Sequence, residues 1–296
     1  MQANFPFTAW PDISPPPAFL SLLAEVFPGV QCRVSLLPLV SDGPPSAVAP
    51  ADFLRPDELR QWQSFASNKR KREWLGGRLC AYNCARWLIA ARKKTSGNNY
   101  ESVIARNETT KKSTTMPDTG VEKDHRFFRS VCNDVAVKEC FSARDWWLAA
   151  DENGRPFWQG NLPEALSGMD ISLSHGGAYA LAIIATRRVG ADVEACRTKV
   201  QRVAAQFCHL AEEERLARLI PQQDRLARLT LLWSAKESLR KAATGLPGFL
   251  AMRLTDGSHI GDGWRLVLTW GATGRQSTVA TTLHDGHAFA FCFLEE

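Results

Sequence analysis

The chain is 296 residues long, enough for one large domain or two of ordinary size. With 45% hydrophobic and 23% charged residues it has the balance of a globular protein, which excludes a collagenous or wholly disordered polymer. Lys and Arg (36) against Asp and Glu (31) leave +5, which suits acidic or phosphate-bearing partners but is too small to argue for nucleic acid.

The longest near-continuous apolar run, Ala178 to Ala185, is far short of the roughly 20 residues a membrane span needs, so no membrane is expected. The first dozen residues, with Pro6 and Pro11, show neither the basic start nor the apolar stretch of a leader. Eight cysteines are scattered without a C-x-x-C, and the closest pair, Cys80 and Cys84, sits four apart in a helical pattern. Reduced, mostly buried thiols and a cytoplasmic setting are expected.

In chain order, residues 1–29 are Pro-rich and aromatic and read as an irregular N-terminal wrap. Val30 to Val40 reads as a strand, closed by the turn-forming run Ser41-Asp42-Gly43-Pro44-Pro45. A short helix is predicted from Asp57 to Phe65, with acids in its first turn. Lys69 to Ala91 is the first long helix, with Trp74, Leu75, Leu79, Tyr82 and Leu88 at helical spacing. Arg92 to Arg129 is rich in Ser, Thr, Asn and Lys without an apolar period, and reads as an inserted mobile loop.

Order resumes with a strand at Trp146 to Ala150, then the turn Glu152-Asn153-Gly154-Arg155-Pro156. Ile171 to His175 and the strands Tyr179 to Ala185 and Val189 to Glu194 follow. A charged helix carries Glu212, Glu213 and Glu214, and a second long helix runs from about Leu226 to Thr244 with Gly245 placed as a C-cap. The rest alternates as strands, notably Trp264 to Trp270 and Ala288 to Leu294. Strands and long helices mix without regular alternation, which predicts an α+β fold rather than a doubly wound sheet.

Two motifs carry chemistry. In a strand, Asp192 and Glu194 leave on the same face, beside the apolar Val189 and Val193. Two carboxylates so close repel unless a cation neutralises them, and hard oxygen ligands in this number suit magnesium. A solvent-facing acidic pair at a strand edge is the plainer alternative. On a helix, Trp233, Glu237 and Lys241 stand at i, i+4 and i+8, with Lys236 flanking. The carboxylate can complete a magnesium site or accept a proton, and the lysines can neutralise charge growing on phosphate oxygens. The plainer alternative is an ordinary surface Glu–Lys pair.

Ser172, Ser174 and His175, followed by Gly176-Gly177, make a loop able to contact phosphate, or else simply a satisfied histidine at a strand end. In the basic run Lys69 to Arg72, which can hold a phosphate or form a solvated helix start, Arg72 stands out because Trp74, Leu75 and Gly76-Gly77 follow it. No H-E-x-x-H, G-x-S-x-G, Walker loop or G-x-G-x-x-G is present, which argues against the common hydrolase, P-loop and dinucleotide classes.

Gly190-Ala191-Asp192-Val193-Glu194, followed about forty residues on by Trp233-Ser234-Ala235-Lys236-Glu237-Ser238-Leu239-Arg240-Lys241, resembles the two signatures of the surfactin-type 4'-phosphopantetheinyl transferases. Glu152 to Pro156, Ser172 to His175 and Arg72 to Arg78 resemble three further stretches of that family. Arg155 stands where the family has lysine, Ser172 where it has asparagine, and Ala191 where it has a larger aliphatic residue. The resemblance implies a pseudo-twofold pair of α/β halves within one chain, each a small mainly antiparallel sheet on a long helix. The halves would span 30–186 and 187–296, with coenzyme A between them.

It also implies that Asp192, Glu194 and Glu237 hold Mg2+ on the coenzyme A pyrophosphate, rather than Mn2+. Glu237 would act as the base and Lys241 would serve the leaving phosphate. Arg72, Arg155, Ser174, His175, Lys236 and Lys241 would grip the coenzyme. The expected partner is an acyl or peptidyl carrier protein, of fatty-acid, polyketide or nonribosomal-peptide type, and the expected state is a monomer. The competing class is a non-catalytic basic module that binds an acidic protein or RNA through Lys69–Arg72 and the insertion, with steep salt dependence.

Overall fold

The computed structural model describes residues 14–39, 50–96, 145–243, 246 and 248–294. The strand end at Val40, the turn at 41–45, Gly245 and most of the predicted insertion lie outside them. Helix α1 (Pro17–Val26) comes first, then β1 (Cys32–Pro38), α2 (Pro50–Phe53), α3 (Pro56–Ser64) and the long α4 (Asn68–Ser96). Next are β2 (Trp146–Ala150), β3 (Pro156–Gly160), β4 (Asp170–Gly176), β5 (Tyr179–Ala185) and β6 (Val189–Ala195). Helices α5 (Thr198–Arg202), α6 (Leu210–Leu219) and α7 (Arg225–Ala242) lead into β7 (Arg253–Ile260), β8 (Gly263–Trp270), β9 (Arg275–His284) and β10 (His287–Phe293). This is an α+β fold.

The residues read as an irregular wrap contain α1. Its Pro17 stands at the first helical position, where a missing N–H costs nothing, and Phe19, Leu22 and Leu23 recur at helical spacing into the core. The segment read as loop from Arg92 is helical as far as Ser96, because α4 runs on. Pro156, read as the end of a turn, opens a strand that runs to Gly160 and pairs with β2 as a hairpin. Helix α7 stops at Ala242, two residues sooner than predicted.

β1, β5 and β4 form an antiparallel three-stranded sheet, and β6, β10, β9, β8 and β7 form an antiparallel five-stranded one. Helix α4 covers the first sheet and α7 the second. Two central strands are buried on both faces, and their alternation shows why. In β5, Ala180, Ala182 and Ile184 face the α4 core, while Leu181, Ile183 and Ala185 face the layer between the sheets. In β10, the small Ala288, Ala290 and Cys292 lie under α7, and Phe289, Phe291 and Phe293 fill the layer between. Small side chains let each helix approach, and large ones fill the gap. Phe19 of α1 packs on Phe289, with centroids 4.8 Å apart.

The two sheets meet where β4 lies beside β6. Asp170, Ser172 and Ser174, alternate residues on one face of β4, accept from the backbone N–H groups of Val189, Ala191 and Val193 at 2.7, 3.0 and 3.1 Å. The constant offset of 19 residues means that the strands run parallel. Side-chain oxygens thus replace a backbone ladder, satisfy the β6 edge and fix the strand that carries Asp192 and Glu194.

Candidate functional site

Gly190, Asp192 and Glu194 share one face of β6, and α7 lies across that face. A Cβ at Gly190 would lie 1.9 Å from the Ser238 carbonyl oxygen, so only glycine lets helix and strand come this close. The same approach brings Glu237 and Lys241, one turn apart on α7, over Asp192. Val189, Ala191 and Val193 point the other way into the layer between the sheets.

The Lys241 ammonium donates to Asp192 Oδ1 at 2.8 Å and to the Ala191 carbonyl at 3.0 Å. The Ser174 hydroxyl donates to the same Oδ1 at 2.8 Å while accepting from Val193 N–H. Asp192 is buried, and its Oδ2 has no hydrogen-bond partner among the described residues. Burial, and then the Asp192 charge, push the Glu194 and Glu237 carboxyls above the usual carboxylate range. Arg240, 3.3 Å from Glu237, offsets part of that. Arg197 and Lys199 do the same for Glu194.

Ser174, Asp192, Glu194, Glu237 and Lys241 line a cleft of about 910 Å³. Trp233 joins Glu237 and Lys241 on its α7 wall, as the i, i+4, i+8 spacing predicts. The opposite wall comes from α3, α4 and the β2–β3 hairpin, including Arg70, Glu73, Trp74, Arg78 and Trp147. Arg78 stacks on Trp74 at 3.3 Å and pairs with Glu58 at 3.0 Å, which ties α3 to α4. Among the described residues no three His, Cys, Asp or Glu side chains are gathered into a ready-made metal cage. Magnesium asks for less: one or two carboxylates, with water and substrate phosphates completing its shell. The partnerless Asp192 Oδ2, beside two carboxyls whose charge burial disfavours, is a donor set of that kind.

Three expected coenzyme contacts are not in the cleft. Lys236 is fully buried on the far side of α7. Its ammonium pairs with Glu212 at 2.8 Å and donates to the Phe207 and Phe249 carbonyls at 2.6 and 3.2 Å. It braces α7 to α6 because position 236 is turned about 100° from 237. Arg155 is spent on Asp170 and on the Lys241 and Val189 carbonyls, so it joins the β2–β3 turn to β4, β6 and α7. Arg72 does not line the cleft; Arg70, half a turn away, does. Ser174 and His175 do line it, but Ser174 has both its hydrogen bonds on β6. The basic run was expected as a phosphate contact with Arg78 a turn and a half on, but with Arg72 singled out; the structure puts Arg70 and Arg78 in the lining instead, together with Glu73, which sequence reasoning missed.

A cleft in which lysine and carboxylates from one strand and one helix converge has groups that could take a phosphate-bearing ligand together with a divalent cation. Residues 188–292, the stretch from β6 to β10, match the family model of the 4'-phosphopantetheinyl transferase superfamily. The match supports transferase chemistry on phosphopantetheine in general. No curated protein matches the chain. Among the described residues no helix is long and apolar enough to cross a membrane.

Proposed function

We propose that the protein transfers the 4'-phosphopantetheine group of coenzyme A to a serine of an apo acyl or peptidyl carrier protein, with magnesium, releasing 3',5'-ADP. The observation that carries this reading is the convergence of Asp192, Glu194, Glu237 and Lys241 on one cleft, inside the stretch that matches the superfamily. Magnesium held by Asp192, Glu194 and Glu237 would supply charge neutralisation at the coenzyme pyrophosphate.

The chain's own groups do the rest. Glu237, which lines the cleft, takes the proton of the attacking serine hydroxyl. The serine oxygen bonds to the β-phosphorus as the bond from that phosphorus to the 3',5'-ADP oxygen breaks. Lys241 neutralises the charge that leaves with the ADP phosphate. No covalent enzyme intermediate is needed. The net charge of +5 favours encounter with an acidic carrier, and one chain supplies every group, so a monomer suffices.

The test is intact-mass analysis of an apo carrier protein incubated with this protein, coenzyme A and magnesium. A gain of one phosphopantetheine, lost with EDTA and in Asp192→Ala and Glu237→Ala, is the expected result. No gain on acyl and peptidyl carriers alike, with the wild-type protein folded, would overturn the reading.

A further inference from the structure

The basic start of α4 brings Arg70 to the cleft, and its neighbours set its direction. Arg70 Nη1 lies 3.2 Å from His175 Nε2. A guanidinium can only donate, so Nε2 accepts and the proton of the neutral ring sits on Nδ1. That nitrogen faces Glu73 Oε2 at 3.6 Å, and Glu73, mostly buried, lies one turn beyond Arg70 on the same helix. Lys69 reaches the other Glu73 oxygen at 3.6 Å. Carboxylate, imidazole and guanidinium therefore follow one another, and all three line the cleft.

From this geometry we infer that Arg70 is the α4 residue that contacts a phosphate of the coenzyme, and that Glu73 and His175 are positioning residues acting through it. Glu73 fixes the Nδ1–H tautomer, and His175 Nε2 then aims the guanidinium. An imidazole in this tautomer offers no N–H to an anion on the Arg70 side, so its part there is to orient. The guanidinium has five N–H donors and gives only one to the ring, keeping the others for an anion.

The surroundings agree. Burial holds His175 below its usual range, with the Arg70 and Lys241 charges adding to that and Glu73 and Asp192 pulling the other way. The identity of the anion rests on the function proposed above, whereas the tautomer does not.

Two measurements test this. Long-range 1H–15N correlation of the ligand-free protein, with His175 assigned by its loss in His175→Gln, reads the tautomer directly. The Nδ1–H form is expected in the wild type, in Lys69→Met and in Glu73→Gln, whose amide oxygen can still accept. Glu73→Leu combined with Arg70→Met, which removes both neighbours that favour Nδ1–H, should pass to Nε2–H. A wild type already in the Nε2–H form, or no change in that double variant, overturns the positioning role.

Calorimetric titration with coenzyme A reads the contact. Arg70→Met should lose roughly 10- to 100-fold in affinity, the worth of a charge-assisted hydrogen bond. Arg72→Met should stay within about twofold. Glu73→Leu should lose about 3- to 10-fold, recovered in Glu73→Gln. A loss in Arg72→Met with Arg70→Met binding normally overturns the assignment of Arg70. If the wild type does not bind coenzyme A, the proposed function and the Arg70 contact both fall, while the tautomer still decides the Glu73–His175 pair.

Discussion

Replacing Lys236 by methionine separates a brace from a ligand. The side chain has no exposure, and all three ammonium donors are engaged, by Glu212 and by the Phe207 and Phe249 carbonyls. Glu212 is fully engaged too: its oxygens also accept from Leu254 N–H at 2.7 Å and His209 N–H at 2.9 Å. Methionine fills much of the volume but leaves a buried carboxylate without its cation, a loss of about 3–5 kcal/mol. At roughly 2–4 °C per kcal/mol for a chain near this size, melting should fall by about 6–20 °C. Adding Glu212→Leu removes the stranded charge but takes the named partners from the Phe207 carbonyl and the His209 and Leu254 N–H groups, while the Phe249 carbonyl keeps Met252 N–H, so it should restore only part. Thermal and urea unfolding read the stability, and calorimetry on the folded variant reads coenzyme A binding. The expected result is a large loss of stability with little change in affinity. A Lys236→Met protein that melts with the wild type and no longer binds coenzyme A would refute the reasoning.

Gly190→Ala should cost about 1–3 kcal/mol in urea unfolding, because its Cβ would meet the Ser238 carbonyl, and should reduce transfer by more than that loss explains, since α7 must move off β6. Ser174→Ala leaves Val193 N–H without an acceptor and frees the Asp192 carboxylate. It should destabilise by about 1–3 kcal/mol and raise the magnesium concentration needed for half-maximal transfer; an unchanged magnesium dependence would contradict its role as an anchor. Glu237→Gln addresses pH. A carboxyl raised by folding stabilises fully below its unfolded value, near 4.5, and that contribution is lost as pH rises through the folded value. Without magnesium, the glutamine variant should therefore gain stability relative to the wild type as pH climbs through that window, then hold the gain. A difference that stays constant from about pH 4 to 8 would remove the cause assigned to the shift.

What the sequence disclosed and what it withheld divide along a physical line. Asp192 with Glu194, and Glu237 with Lys241, were legible because strand and helix periods alone decide which side chains share a face. Gly190 was legible only as part of a pattern; its reason, the 1.9 Å approach to Ser238, belongs to tertiary packing. The expected contacts that do not line the cleft are residues whose assignment depends on which way an element is turned. Lys236 and Glu237 are adjacent in sequence and chemically suited to one site, yet the apolar seat of α7 on β6 and β10 sends one into an ion pair with Glu212 and the other into the cleft. Arg70 and Arg72 pose the same ambiguity on α4, settled by Leu75, Leu79 and Tyr82 docking into the core beneath that helix. Arg155 is a third case, for its partners Asp170, Val189 and Lys241 come from three elements that no local pattern connects. A cationic side chain beside a motif is thus an ambiguous signal: buried carbonyls and carboxylates compete with ligand phosphates for it, and only the packing of the whole chain decides which of them it meets.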